Sequence, residues 1–174
     1  MDGQRPENPP ISFQDVYRQA RAEGYRLTAH CNHNATDVVE HIRQCLDPLA
    51  LDRIDHGYNV IDDAALVETV LDRGLWMTVC PHRRPADPLP RRLDALARMD
   101  ALGICVTINS DDPGMFASGY LTEMLTAVQG AAGLGADDLM RYMTNALERA
   151  WLPRAERDTY LARLAAHGAR HGVA

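Results

Sequence analysis

Lysine is absent from this chain. Its 18 basic residues are all arginine, and 24 acidic residues leave a net charge of −6. That balance excludes a nucleic-acid backbone as the main partner, since such binding rests on released counterions and basic surface. The all-arginine usage reads as a coding bias rather than chemistry. No run approaches the roughly 20 apolar residues needed to span a bilayer, so no membrane partner is expected. The cysteines, Cys31, Cys45, Cys80 and Cys105, show neither Cys-x-x-Cys pairing nor disulfide spacing. A reduced, cytoplasmic location fits that usage. The first ten residues are polar and proline-rich and lack the apolar core of a signal peptide. No histidine precedes His30, and there is no short-period repeat or low-complexity linker.

What is present is enough for one domain with a real core: 174 residues, 46% of them apolar. Apolar periodicity switches regularly between the helical and strand patterns. Ser12 suits the cap of a helix from about 13 to 23, ended by Gly24. A strand follows at about 26–30. Thr36 or Asp37 opens a helix to about Cys45, carried by Val38, Val39, Ile42 and Leu46. Strands are predicted at 53–56, 75–80 and 103–108. Helices lie between them, one capped by Asp62 and one from about Arg92 to Leu102. Three helices close the chain, at about 120–130, 136–150 and 155–167. Residues 1–11 and 168–174 are expected to be flexible. Alternating strands and helices predict an α/β fold: about four parallel strands with outer helices and a C-terminal helical segment.

In parallel sheets of this kind, sites lie at the C-terminal strand ends. His30, His56, Cys80 and Asp111 all fall there. Asp111 and Asp112 directly follow a buried strand, where adjacent carboxylates repel unless a cation or donor sits between them. Asp-Asp-Pro is also a good turn sequence, so a cap for the next turn is the plainer reading. Cys80 reads as a small buried hydrophobe, His33 and His82 as loop residues, and His41, beside Glu40, as a surface residue.

Thr28-Ala29-His30, Arg53-Ile54-Asp55-His56-Gly57, Cys80-Pro81 and Asn109-Ser110-Asp111-Asp112-Pro113 occur in one order, followed by Asn145-Ala146 and Trp151-Leu152-Pro153. In that order they resemble the C-terminal half of the adenosine/adenine deaminase family, zinc-dependent (β/α)8 barrels. The resemblance implies half of a TIM-type barrel. It also implies a zinc-dependent purine deaminase that converts an aminopurine base or nucleoside to the oxo-purine and ammonia. His30 and Asp111 would bind Zn2+, and Asp111 would orient the attacking water. His56 would hydrogen-bond that water as hydroxide and stabilise charge as it attacks, and Asp112 would contact a purine ring nitrogen. The Pro-Cys-x-x-Cys element of cytidine-deaminase zinc sites is absent.

Two departures carry expectations of their own. The family's opening strand supplies a His-x-His pair, which has no counterpart upstream of His30. The family's His-Ala-Gly-Glu reads His30-Cys31-Asn32-His33 here, which places His33 where the proton-donating Glu would stand. Two protein ligands fall short of the three that catalytic zinc sites use. The isolated chain is therefore expected to bind zinc weakly and deaminate poorly. The alternative is a truncated or split half-barrel that acts through association with another chain or a second copy, its open sheet edges and apolar surface covered by that partner.

Overall fold

The computed structural model describes residues 9–31, 37–81, 89–115 and 120–173. A 3-10 turn, Pro10–Phe13, leads into α1 (Gln14–Ala22). Then come β1 (Thr28–Cys31), α2 (Val38–Leu46) and β2 (Arg53–His56). A second 3-10 turn, Tyr58–Asp62, precedes α3 (Ala64–Asp72), followed by β3 (Trp76–Val79), α4 (Leu89–Ala101) and β4 (Cys105–Ile108). The chain ends in α5 (Leu121–Ala132), α6 (Ala136–Arg149) and α7 (Arg154–Arg170). The strands form one sheet in chain order, and all pair in parallel. This is an α/β fold, a partial (β/α) barrel. No helix among the described residues is long and apolar enough to cross a membrane.

Strand alternation sorts the side chains into two layers. Ala29, Cys31, Ile54, Val79, Val106 and Ile108 are buried against the outer helices. The helices answer with Ile42, Cys45 and Leu46 from α2, Val70 from α3, and Leu96 and Met99 from α4. The register lines His30, Asp55, Thr78 and Thr107 straight across the opposite, inner face.

Along this row the inner face is polar. Asp55 accepts hydrogen bonds from Thr28 Oγ1 at 2.9 Å, Arg53 Nε at 3.1 Å and Thr78 Oγ1 at 2.6 Å. At the N-terminal end of the strands, Arg53 lies over the Trp151 ring at 4.4 Å, and Trp151 meets Trp76 edge-on at 6.3 Å. The turn between α6 and α7 thus closes the floor beneath the polar row.

Among the described residues β1 and β4 are the edge strands of the sheet. Leu27 C=O and Asn109 N–H bond inward, to Asp52 N–H and Val79 C=O. Thr28 and Val106 therefore direct their carbonyls outward. Tyr17 Oη donates to Thr28 O at 2.9 Å, and Asn145 Nδ2 to Val106 O at 3.0 Å. A bidentate pair, Arg141 with Asp100, ties α6 to α4.

Local boundaries differ from expectation for identifiable reasons. Ser12 does not cap α1; it lies in the 3-10 turn that follows Pro9, its N–H donating to Pro9 O at 3.0 Å. Asp63, not Asp62, caps α3, accepting from Ala65 N–H at 2.9 Å and Leu66 N–H at 3.2 Å. Asp62 is taken up by the second 3-10 turn. Helix α4 begins at Leu89 rather than Arg92, because Pro90 is tolerated in a first turn, where its missing N–H would have no helical partner. His41 is buried, not at the surface.

Candidate active site

The site is built at the C-terminal ends of the four strands. His30 is the third residue of β1 and faces inward with Thr28. His56 ends β2, and simple alternation would send it outward beside Ile54. Its φ of 68° breaks the alternation, and the ring lies 4.4 Å from that of His30, nearly edge-on. Gly57, at φ 64°, continues the left-handed turn. A Cβ on Gly57 would meet Met77 Sδ at 2.8 Å and Ile54 Cγ2 at 3.1 Å, so the position needs both the backbone freedom and the space.

Beyond β4, Asn109 hydrogen-bonds back to Thr107 through O at 3.0 Å and Oγ1 at 2.9 Å. Asp111 then adopts φ 58°. Non-glycine residues in this region are uncommon and cluster at functional sites. The strand end at Cys80 is clamped from both sides. Its N–H donates to Tyr58 Oη at 2.9 Å, and its C=O accepts from Arg92 Nη1. Arg92 is itself buried and lies over the Tyr58 ring.

These elements surround an open cleft of about 570 Å³, lined by His30, Asp55, His56, Cys80, Asp111 and Asp112 among others. All the predicted site residues that fall among the described ones therefore share one cavity. His33 lies outside the described residues. Ligand atoms of His56, Cys80 and Asp111 all lie within 4.8 Å of one another. An imidazole, a thiol and a carboxylate are the donors zinc takes, so the residues present fit such an ion. Burial first, then the nearby Asp111 charge, pushes the Cys80 thiol up to about 12, with Arg92 opposing.

Sequence reasoning placed Cys80 at this face but read it as a small buried hydrophobe rather than a donor beside His56 and Asp111. The signal was available in its position, at a strand end like His56 and Asp111, but its residue type suited a core thiol equally well. Asp55 was also passed over. Its carboxylate is engaged by three donors, so it organises the layer beneath the cleft.

Known proteins resemble this chain along most of its length. The family model for adenosine deaminase matches residues 1–167. An uncharacterised deaminase of Schizosaccharomyces pombe is 37% identical over 161 residues, which cover 92% of this chain and 48% of that protein. The adenine deaminase of Rhodospirillum rubrum is 37% identical over 170 residues, covering 95% of this chain and 49% of that one. Among solved structures, an adenine deaminase from Arthrobacter aurescens superposes with a TM-score of 0.80 at 26% identity, over 94% of this chain and 50% of that one. An amidohydrolase from Burkholderia ambifaria with bound Zn gives 0.83 at 28% identity, over 95% and 46%. The chain spans about half the length of the curated relatives it matches. With strand ends, cleft and relatives in agreement, the conclusion is that this chain belongs to the adenosine deaminase family.

Proposed function

We propose that this chain supplies the C-terminal half of a hydrolytic aminopurine deaminase centre, of the adenine deaminase type. The observation that carries the reading is the convergence of His30, His56, Asp111 and Asp112, from three separate strand ends, on one cleft. The adenine deaminases among its relatives favour an aminopurine substrate.

In this reading His30 and Asp111 would hold a zinc ion. When bound, zinc lowers the pKa of water to about 7 and so makes a nucleophile available at neutral pH. Asp111 also orients the attacking water and accepts its proton. His56, fixed by its left-handed backbone, hydrogen-bonds the attacking oxygen as negative charge develops. Asp112 contacts a ring nitrogen of the base, and His33 is the residue at the sequence position of the family's proton-donating Glu. The remaining zinc ligands and the facing pocket wall come from outside these 174 residues.

Association with another chain is the second reading, favoured by β1 and β4 each lacking a second strand partner among the described residues. A second copy or a separate N-terminal half would close the sheet.

An ammonia-release screen over adenine, adenosine and other aminopurines, with zinc supplied, tests the assignment. The chain alone should turn over poorly, and addition of an adenine deaminase N-terminal half should raise the rate at least tenfold. Ordinary turnover by the chain alone would overturn the claim that the site is completed from elsewhere. No aminopurine turnover in the supplemented mixture would overturn the substrate reading.

A further inference from the structure

We propose that this chain can hold a divalent ion through His56, Cys80 and Asp111, a ligand set distinct from the His30–Asp111 pair. The inference goes beyond the deaminase reading, which gives Cys80 no role, and shares with it only the cleft and Asp111.

Geometry comes first. The three ligand atoms lie within 4.8 Å of one another. A tetrahedral zinc, with bonds of about 2.3 Å to sulfur and about 2.0–2.1 Å to nitrogen and oxygen, sets its ligand atoms roughly 3.3–3.6 Å apart. Closing on an ion therefore takes an inward shift of about 1 Å. Three protein ligands with one open position is also the usual coordination of a non-structural zinc, whereas His30 and Asp111 offer two.

The backbone holds these groups in place. His56 and Asp111 are both set in the left-handed region. Cys80 is fixed at N–H by Tyr58 and at C=O by Arg92. His56 and Cys80 are each 5% exposed, so attraction between ion and ligands is screened far less than at the surface. As the sulfur–metal bond forms, the thiol proton leaves to solvent, and nothing is oxidised or reduced.

This mode has a functional price. The His56 nitrogen that binds the ion cannot also hold the attacking oxygen, so an ion seated here blocks chemistry in the half-site. The weak zinc binding expected from two ligands gives way to firmer, unproductive binding.

Cobalt(II) is the probe, added to the reduced 174-residue chain. One equivalent should produce a near-ultraviolet sulfur-to-cobalt charge-transfer band. The band should vanish in Cys80→Ser and persist in His30→Ala. It should also persist in the Cys31→Ser/Cys45→Ser double variant, which removes the close thiol pair whose Sγ atoms are 3.5 Å apart. No band in the wild type, a band surviving Cys80→Ser, or a band lost in His30→Ala would each overturn the proposal. If Cys80→Ser fails to fold by circular dichroism, zinc-edge X-ray absorption of the Cys31→Ser/Cys45→Ser protein decides. One sulfur at roughly 2.3 Å supports the site, and a shell of nitrogen and oxygen alone overturns it. The deaminase reading fails separately, on the aminopurine screen, whatever the band does.

Discussion

His56 and Asp111 sit at φ 68° and 58°, a region that costs most L-residues about 1–2 kcal/mol relative to glycine. At these two positions the strain turns one imidazole and one carboxylate into the cleft. A direct consequence reverses the usual ranking of small residues. His56→Gly should be more stable to denaturant than His56→Ala by about 1 kcal/mol, although glycine normally loosens the unfolded chain more. Equilibrium urea unfolding of both variants checks this, and an alanine variant as stable as the glycine one would show that the backbone there is relaxed. Neither φ value could be read from residue types. Gly57 was the nearest clue, because it must be small to avoid Met77 and Ile54.

At the scale of elements, most of the fold was legible because one face of each helix and strand is apolar with the right period. Val38, Ile42, Cys45 and Leu46 fix the buried face of α2. His41 lies three residues after Val38 and four before Cys45, so the same pattern already placed it inward; only its residue type suggested the surface. The α3 cap was misplaced by one residue because Asp62 and Asp63 are chemically alike and the intervening 3-10 turn leaves no sequence period. Asp63 also yields a pH prediction. The hydrogen bond from Arg43, then the Leu66 N–H, hold its carboxyl below the usual carboxylate range. A folded-state value below the unfolded one means the cap stabilises above the ordinary value near 4 and loses effect as pH falls through the depressed one. Asp63→Ala should therefore melt earlier than wild type at pH 7, and the two melting curves should converge in acid. A constant gap in thermal melts from pH 7 to pH 2 would show that charge does not carry the cap.

For the whole molecule, the lining of the cleft was legible but its partnership was not. The ordered motifs placed His30, His56, Asp111 and Asp112 together, because parallel strands bring their ends to one side. That Cys80 approaches His56 and Asp111 depends on how the sheet twists, which no single motif encodes. The polar inner face was equally hidden, because Asp55 and Thr78 are 23 residues apart and meet only through strand register. The side-chain bonds at the sheet edges carry the last prediction. The Tyr17→Phe/Asn145→Ala double variant should self-associate more steeply with concentration than wild type, by light scattering, while keeping its circular dichroism at low concentration. Equal scattering from both proteins would show that these two bonds do not govern assembly.

The tyrosine hydroxyl and the asparagine amide behave as gatekeepers. An incoming β-strand at either edge competes with one of them for its carbonyl acceptor. Only a partner able to replace that bond and zip along the rest of the strand gains by docking, and this selectivity guards an unfinished barrel against indiscriminate stacking.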